Sequence, residues 1–315
     1  ADAAGLGPIE IKMMTDGGYD KEFSSCLTAA SAIIGPIIPP SNIMIIYAGC
    51  VGTVSVGKMF LAGAIPGILL GIAYMIFCYW ISVKRKYPCR KTRATWKEIG
   101  HATWETLPAL LLPIIIMGTI TLGICTATES SAIAVIYSTI VAACKKNLSI
   151  KSFCRACIRS AKAAANVLFI IAISSAMAWA VTTLGVAQAL TNFCVAYINN
   201  KIVFLLFVNV LLLLIGMLLD ASPALLLMVP ILWPVAKTLG IDAIHFGVMV
   251  CFNLMVGTLT PPVGMMLFIV SNVGKVKLSV MYKGILPFVA VAVVVLLLIT
   301  YVPSLTTWLP GVLMP

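Results

Sequence analysis

Charged side chains are scarce in this chain: Asp, Glu, Lys and Arg make up 10% of it, and only ten residues are acidic. So small a polar complement cannot clothe a water-soluble globule of 315 residues, which excludes that class and makes lipid the solvent for most of the chain. Histidine is nearly absent, and His101 and His245 both fall at expected membrane edges. No HExxH, nucleophile elbow or Walker loop occurs, so the usual signatures of a membrane enzyme are missing. The chain opens at Ala1 with neither methionine nor the regions of a signal peptide, which reads as a removed leader or a fragment.

What fills the sequence instead is apolar: 61% of residues are hydrophobic and the mean hydropathy is +1.09. Runs approaching the roughly 20 residues that a helix needs to cross a bilayer recur along the whole length. Helices are predicted at 3–15, 22–36, 42–51, 58–83, 107–125, 129–144, 163–184, 203–218, 224–237 and 280–302, with 244–257 and 263–273 forming one interrupted span. Ten cysteines lie mostly inside apolar runs, where a thiol acts as a small hydrophobe, and are expected reduced. The Cys154 and Cys157 pair has no further ligands nearby to complete a zinc site.

The net charge of +11 comes from Lys and Arg placed between apolar runs, without interleaved aromatics or a binding motif, so topology rather than nucleic acid accounts for it. Residues 84–104 carry Lys84, Arg85, Lys86, Arg90, Lys91, Arg93 and Lys97; residues 145–162 carry Lys145, Lys146, Lys151, Arg155, Arg159 and Lys162. Both stretches are expected to be cytoplasmic loops. Counting crossings from them places Lys12, Lys21, Lys275, Lys277 and Lys283 inside as well, leaving only Lys58, Lys201 and Lys237 outside.

Sliding the sequence along itself by 222 positions superposes Pro8 on Pro230, Gly18 on Gly240, Asp20 on Asp242, Gly35 on Gly257, Pro39–Pro40 on Pro261–Pro262 and Gly52 on Gly274. Shared Gly and Pro dictate shared backbone geometry, so this reads as an internal duplication. The crossings between the two Pro-Pro sites give the second copy inverted entry. "GPIIPPSN" (35–42) and "GTLTPPVG" (257–264) interrupt apolar helices and free carbonyls, and such backbone has to line a cavity.

A re-entrant hairpin is expected ahead of each break; the second covers 203–237 with its tip at "LLDASPA" (218–224), each arm about two-thirds of a spanning helix. Tip and break should meet near the midplane. Helix N-terminal amides would suit an anionic substrate there, and freed carbonyls with hydroxyls would suit a hard cation such as sodium. Asp220 sits at that tip between apolar arms, where an unused carboxylate is penalised by about 2.5–3.5 kcal/mol. The competing account makes Asp220 a helix cap ahead of Ser222 and Pro223. Glu129 in "TATESS" (126–131) reads as a cap, and Gly63, Gly67 and Gly71 as a smooth packing face.

The segments "ADAAGLGPIEIKMMTDGGYD" (1–20), "ASAIIGPIIPPSN" (30–42), "KMFLAGAIPG" (58–67) and "GIDAIHFGVMVCFNLMVGTLTPPVG" (240–264), with "LLDASPA" and "ATESSAIAVIY", resemble the large, DctM-like membrane subunit of tripartite ATP-independent periplasmic (TRAP) transporters. That resemblance spans nearly the whole chain. It implies a sodium-driven importer of organic anions, such as C4-dicarboxylates or sialic acids, across the bacterial inner membrane. Its partners would be a small membrane subunit and a periplasmic binding protein, and its motion would be of the elevator type, as in the ion-transporter superfamily.

By the same resemblance, one sodium site uses Gly35, Pro39, Ser41 and Asn42 with the first hairpin tip, and another uses Asp220, Ser222, Gly257, Thr258 and Thr260; Gly264 joins the substrate- and ion-binding set. It also implies that the first arm of the first hairpin precedes Ala1, with residues 1–4 remaining from its tip, so the first ion site is incomplete here. Sodium is the coupling ion and no other cofactor is expected.

The expected fold is thus an all-α polytopic membrane protein with inverted repeats, re-entrant hairpins and Pro-Pro-broken helices. Its parts are the first hairpin remnant and broken helix (1–56), scaffold or arm helices with basic loops (57–200), the second hairpin and broken helix (201–279), and a final helix and tail (280–315). A channel or passive scaffold has no need of two inverted half-sites. An ion-coupled carrier of the same design that works without a binding protein is the nearer alternative.

Overall fold

The computed structural model describes residues 2–88, 95–146, 148–185 and 200–314. Arg90, Lys91 and Arg93 of the first basic stretch, together with Ala1, Cys89 and Cys194, lie outside the described residues. The chain falls into two units, Ala1–Pro88 with Ser174–Pro315, and Cys89–Ile173.

The regular elements among the described residues of the first unit are all helices. A short turn of helix, α1 (Asp2–Gly5), leads into α2 (Gly7–Asp16), α3 (Lys21–Ala32), α4 (Asn42–Val51) and α5 (Val56–Arg85). After the second unit come α9 (Lys201–Leu218), α10 (Ala221–Thr238), α11 (Ala243–Leu259), α12 (Met265–Gly274), α13 (Leu278–Tyr301) and α14 (Ser304–Leu313). The elements α6 (Trp96–Thr121) and α7 (Ala127–Cys144) belong to the second unit, as does α8 (Ile150–Thr183) up to Ile173.

Helix α11 is the core: every residue from His245 to Leu259 is buried. A helix that is apolar all round is stable only when other helices surround it, and α4, α5, α9, α10, α12, α13 and α14 all pack on it. Several polar side chains inside that core are hydrogen-bonded to one another, although Asn253 Oδ1 has no partner. Asn253 donates to the Asn209 side-chain and backbone oxygens (2.7 and 3.0 Å), Asn209 donates to the Thr300 hydroxyl (3.0 Å), and the His245 ring bonds the Thr306 hydroxyl (2.9 Å) and the Thr300 carbonyl (3.2 Å). His245 is therefore buried and hydrogen-bonded within the helix core; the local sequence carries no sign of Thr300 and Thr306, which lie more than 50 positions away.

Local signals set the helix starts. Asp242 accepts from the N–H groups of Ile244 and His245 (both 2.9 Å), Asn200 accepts from Ile202 N–H (2.9 Å), and Ser41 accepts from Met44 N–H (3.3 Å). Helix α3 stops at Ala32 and α11 at Leu259, each ahead of a Pro-Pro pair whose peptide bond is cis. Three helix boundaries coincide under the 222-position shift: Lys21 and Ala243 open α3 and α11, Val56 and Leu278 open α5 and α13, and Asp16 and Thr238 close α2 and α10, whereas α3 and α11, and α5 and α13, end out of step. Asp20 and Asp242, matched by that shift, are used differently. Asp20 does not cap α3; it accepts from Arg85 (3.2 Å) and from the Tyr87 hydroxyl, while Arg85 also donates to that hydroxyl (3.1 Å). Partial burial, aided by the bond to Asp20, pushes the Tyr87 phenol above its ordinary pKa.

In the second unit, α6 bends by 58° between Trp104 and Thr106, and packs on α7 through Tyr137 to the Pro108 carbonyl (2.9 Å) and Thr119 to Ser130 (2.8 Å). Thr126 and Glu129 form a reciprocal cap at the start of α7, in line with the expected role of Glu129.

Among the described residues, five helices (α5, α7, α9, α10 and α13) are long and apolar enough to cross a membrane, or six if bent α6 is one span. Several expectations change. The basic stretch 150–162 is the start of α8, not a loop, because Lys, Arg and Ala are strong helix formers whatever their charge. Likewise, α6 starts at Trp96, well before 107. The arms α9 and α10 have 18 residues each, about 27 Å at 1.5 Å per residue, close to a full span. The tail folds as α14, despite Pro310, by packing on α5.

Candidate functional site

A cavity of about 300 Å³ in the first unit lies where the second hairpin tip meets both helix breaks. Its walls include the first residues of three helices: Asn42 and Ile43 of α4, Ala221 and Ser222 of α10, and Met265 and Met266 of α12. The first turn of a helix leaves N–H groups without partners and carries a partial positive charge. Met255 and Thr258 from the C-terminal end of α11, Pro36 from the first break and Ile269 complete the lining. Among the described lining residues Asp220 is the only carboxylate, and none is Lys, Arg or His.

Asp220 occupies the N-cap position of α10 with an exposed side chain that makes no cap hydrogen bond; only its carbonyl is engaged, by Ala224 N–H (3.1 Å). The carboxylate is thus at the cavity and not committed to the helix start. Asn42, Asp220, Ser222 and Thr258, drawn from both predicted ion sites, meet in this one cavity. Thr258 is 2% exposed, and its hydroxyl donates to the Met255 carbonyl (2.7 Å).

The other predicted residues are not among its described lining residues. Ser41 donates to the Pro36 carbonyl and caps α4. Pro39 is buried within the first break, and Gly35 is exposed. Thr260 bonds back to the Val256 carbonyl (2.8 Å) where α11 ends. Gly264 has φ +61°, a left-handed conformation that favours glycine, and its N–H reaches the Met217 carbonyl (3.1 Å), tying the second break to α9. Gly257 lies against Gly216 of α9. The Pro262 carbonyl, a candidate freed acceptor, takes the Tyr282 hydroxyl.

Sequence reasoning missed the apolar side of the cavity: Ile43, Met255, Met265, Met266 and Ile269. Their one clue was adjacency, since Met265 and Met266 directly follow "PPVG". The described cysteines, Cys154 and Cys157 included, are unpaired, and that pair is exposed on α8 and not among this cavity's described lining residues.

The packed helices, the breaks and the cavity between them define a multi-pass α-helical membrane protein. Residues 1–305 match the family model described as the tripartite ATP-independent periplasmic transporter, DctM component, and the chain belongs to that family. It is 40% identical to the sialic acid TRAP transporter permease protein SiaT of Haemophilus influenzae over its full length, covering 51% of that protein. It is 40% identical to the sialic acid TRAP transporter large permease protein SiaM of Vibrio cholerae (98% of this chain, 72% of that one). It is 36% identical to the isethionate TRAP transporter permease protein DctMQ of Oleidesulfovibrio alaskensis (99% and 49%). The chain therefore spans about half the length of two of these relatives. Membership places it among transport permeases rather than enzymes.

Proposed function

We infer that this chain is the large membrane subunit of a TRAP transporter that imports an organic anion across the bacterial inner membrane, driven by sodium. One observation carries the reading: three helix N-termini and one uncommitted carboxylate, Asp220, line a single cavity that has no cationic side chain among its described residues. Three partial charges of about +0.5 suit an anion, and Asp220 with nearby backbone carbonyls suits a sodium ion that would offset its charge. The names of the relatives, which speak of sialic acid and isethionate, favour a carboxylate or related acid as cargo. The helix boundaries shared under the 222-position shift support two inverted copies facing one site, the arrangement that an elevator movement requires. A small membrane subunit and a periplasmic binding protein complete the assembly.

The test is uptake of labelled sialic acid, a C4-dicarboxylate and isethionate into proteoliposomes holding the permease with its small subunit, with and without a sodium gradient and binding protein. Uptake that needs both, and that falls at least tenfold in Asp220→Asn, supports the reading. Uptake indifferent to sodium and to that substitution overturns the coupling. Sodium-driven uptake without the binding protein favours a self-sufficient carrier.

A further inference from the structure

The cavity between the second hairpin tip and the two breaks holds about 300 Å³, at the lower end of the range for small-molecule sites, and its walls divide by chemistry. Among the described lining residues, α12 contributes only apolar side chains: Met265, Met266 and Ile269. The i, i+4 and i, i+3 spacings set Ile269 next to both methionines, so the three form one stripe about 6 Å long at 1.5 Å per residue. Met265 and Ile269 stay 43% and 37% exposed, which leaves apolar area there for a bound molecule to cover.

Side-chain hydrogen-bond donors come from other elements. Asn42 brings an amide and Ser222 a hydroxyl. The Thr258 hydroxyl already donates to the Met255 carbonyl, and an ionised Asp220 carboxylate only accepts. With the free amides of the helix starts, Asn42 and Ser222 can serve one acid group. A second acid group, or a row of hydroxyls, laid along the α12 stripe would face Met and Ile without a partner, which buried polar groups tolerate poorly.

The duplication carries the same asymmetry. Under the 222-position shift Asn42 and Ile43 match Gly264 and Met265. Where the first break is followed by an amide side chain, the second is followed by a bare glycine, and the wall beyond it is apolar.

We propose that this cavity, on the reading that it is the transport site, selects a cargo with a single acid group and an apolar body. Asn42, Ser222 and the helix-start amides hold the acid group, and the stripe of Met265, Met266 and Ile269 carries the body. Met266 and Ile269 are thus specificity-determining residues that disfavour dicarboxylates and polyhydroxylated acids.

The experiment is equilibrium binding of pentanoate, succinate and sialic acid to the purified permease with its small subunit, in sodium and in potassium, for the parent and for Met266→Asn, Ile269→Asn, Met266→Leu and Asp220→Asn. In sodium the parent should bind pentanoate at least tenfold more tightly than either of the other two. Each Asn substitution on α12 should cut that preference at least fivefold, and Met266→Leu should keep it. Succinate or sialic acid bound as tightly as pentanoate, with sodium still required and binding still lost in Asp220→Asn, overturns this inference and leaves the transport reading standing. A pentanoate preference that neither Asn substitution on α12 moves overturns it as well. Binding of none of the three in sodium, or binding indifferent both to sodium and to Asp220→Asn, overturns the transport reading and this inference with it. Melting curves of each variant separate lost selectivity from lost folding.

Discussion

Gly216 and Gly257 touch backbone to backbone: a Cβ on Gly257 would lie 2.7 Å from the Gly216 Cα, and one on Gly216 would lie 3.0 Å from the Gly257 Cα. This contact lets α9 settle on α11, and it places the hairpin tip beside the second break. Small residues permit such close approach in lipid, where apolar area alone drives little association between helices. Gly257→Ala and Gly216→Ala should each destabilise the protein by about 1–3 kcal/mol, the range for overpacking. Thermal melting in detergent reads this, and a melting temperature unchanged in both variants would remove the contact from the account.

The glycines of α5 divide differently. A Cβ on Gly63 would meet the Ile37 carbonyl at 2.8 Å, and one on Gly67 would meet the Ile38 side chain at 2.4 Å, whereas one on Gly71 would meet no described atom of another element within 4 Å. The expected smooth face is thus a cradle for the first break, formed by Gly63 and Gly67. Gly63→Ala should lower the melting temperature most, Gly67→Ala less because Ile38 can turn aside, and Gly71→Ala should stay within about 0.5 kcal/mol of the parent.

Asp220 and Asp242 both stand at helix N-caps, but only Asp242 caps with its side chain. Asp242→Ala should therefore cost about 0.5–2 kcal/mol of stability. Asp220→Asn should leave the melting curve near that of the parent while sodium no longer shifts it. Equal destabilisation by the two substitutions would make Asp220 a structural cap.

The Asn209, Asn253 and Thr300 ladder joins α9, α11 and α13 inside the core. Removing its middle member, as in Asn209→Ala, should cost about 1–2 kcal/mol, since buried polar groups are left without partners while individual bonds between helices in lipid are weak. Chemical unfolding in mixed micelles measures this.

By contrast, Arg85 and Asp20 have side chains 53% and 61% exposed, so their ion pair is screened by water. Arg85→Ala should change stability by less than about 1 kcal/mol, and the difference should shrink as salt rises. A large, salt-independent loss would point to the packing of Arg85 on Phe23 instead.

Much of the fold was legible because its signals are local. Helix α11 ended within two residues of the expected position ahead of Pro261–Pro262, while α3 stopped at Ala32, short of the expected 36; Thr126 with Glu129 marked a start through a cap that needs only neighbouring residues, as Ser41 and Asp242 also do in the structure. Charge misled where it was read as loop: Lys151, Arg155 and Arg159 are compatible with helix, and position along the chain gives no measure of where the lipid ends. The candidate site was half legible. Asn42, Asp220, Ser222 and Thr258 stood out as polar groups beside breaks, whereas Met255 and Ile269 look like any other core residues in so apolar a chain.

The sequence by itself determined that the chain lives in lipid, that two helices break at paired prolines, and that one carboxylate lies between apolar arms, because hydropathy and backbone geometry follow from residue type and spacing. Only the tertiary structure decided that residues more than 170 positions apart, Asn42 and Asp220, share one cavity, that Ser41 and Thr260 turn back to their own backbone, and that Asp20 and Asp242 serve different ends. Those outcomes depend on how closely helices approach, which glycines such as Gly216 and Gly257 permit and which no local pattern encodes.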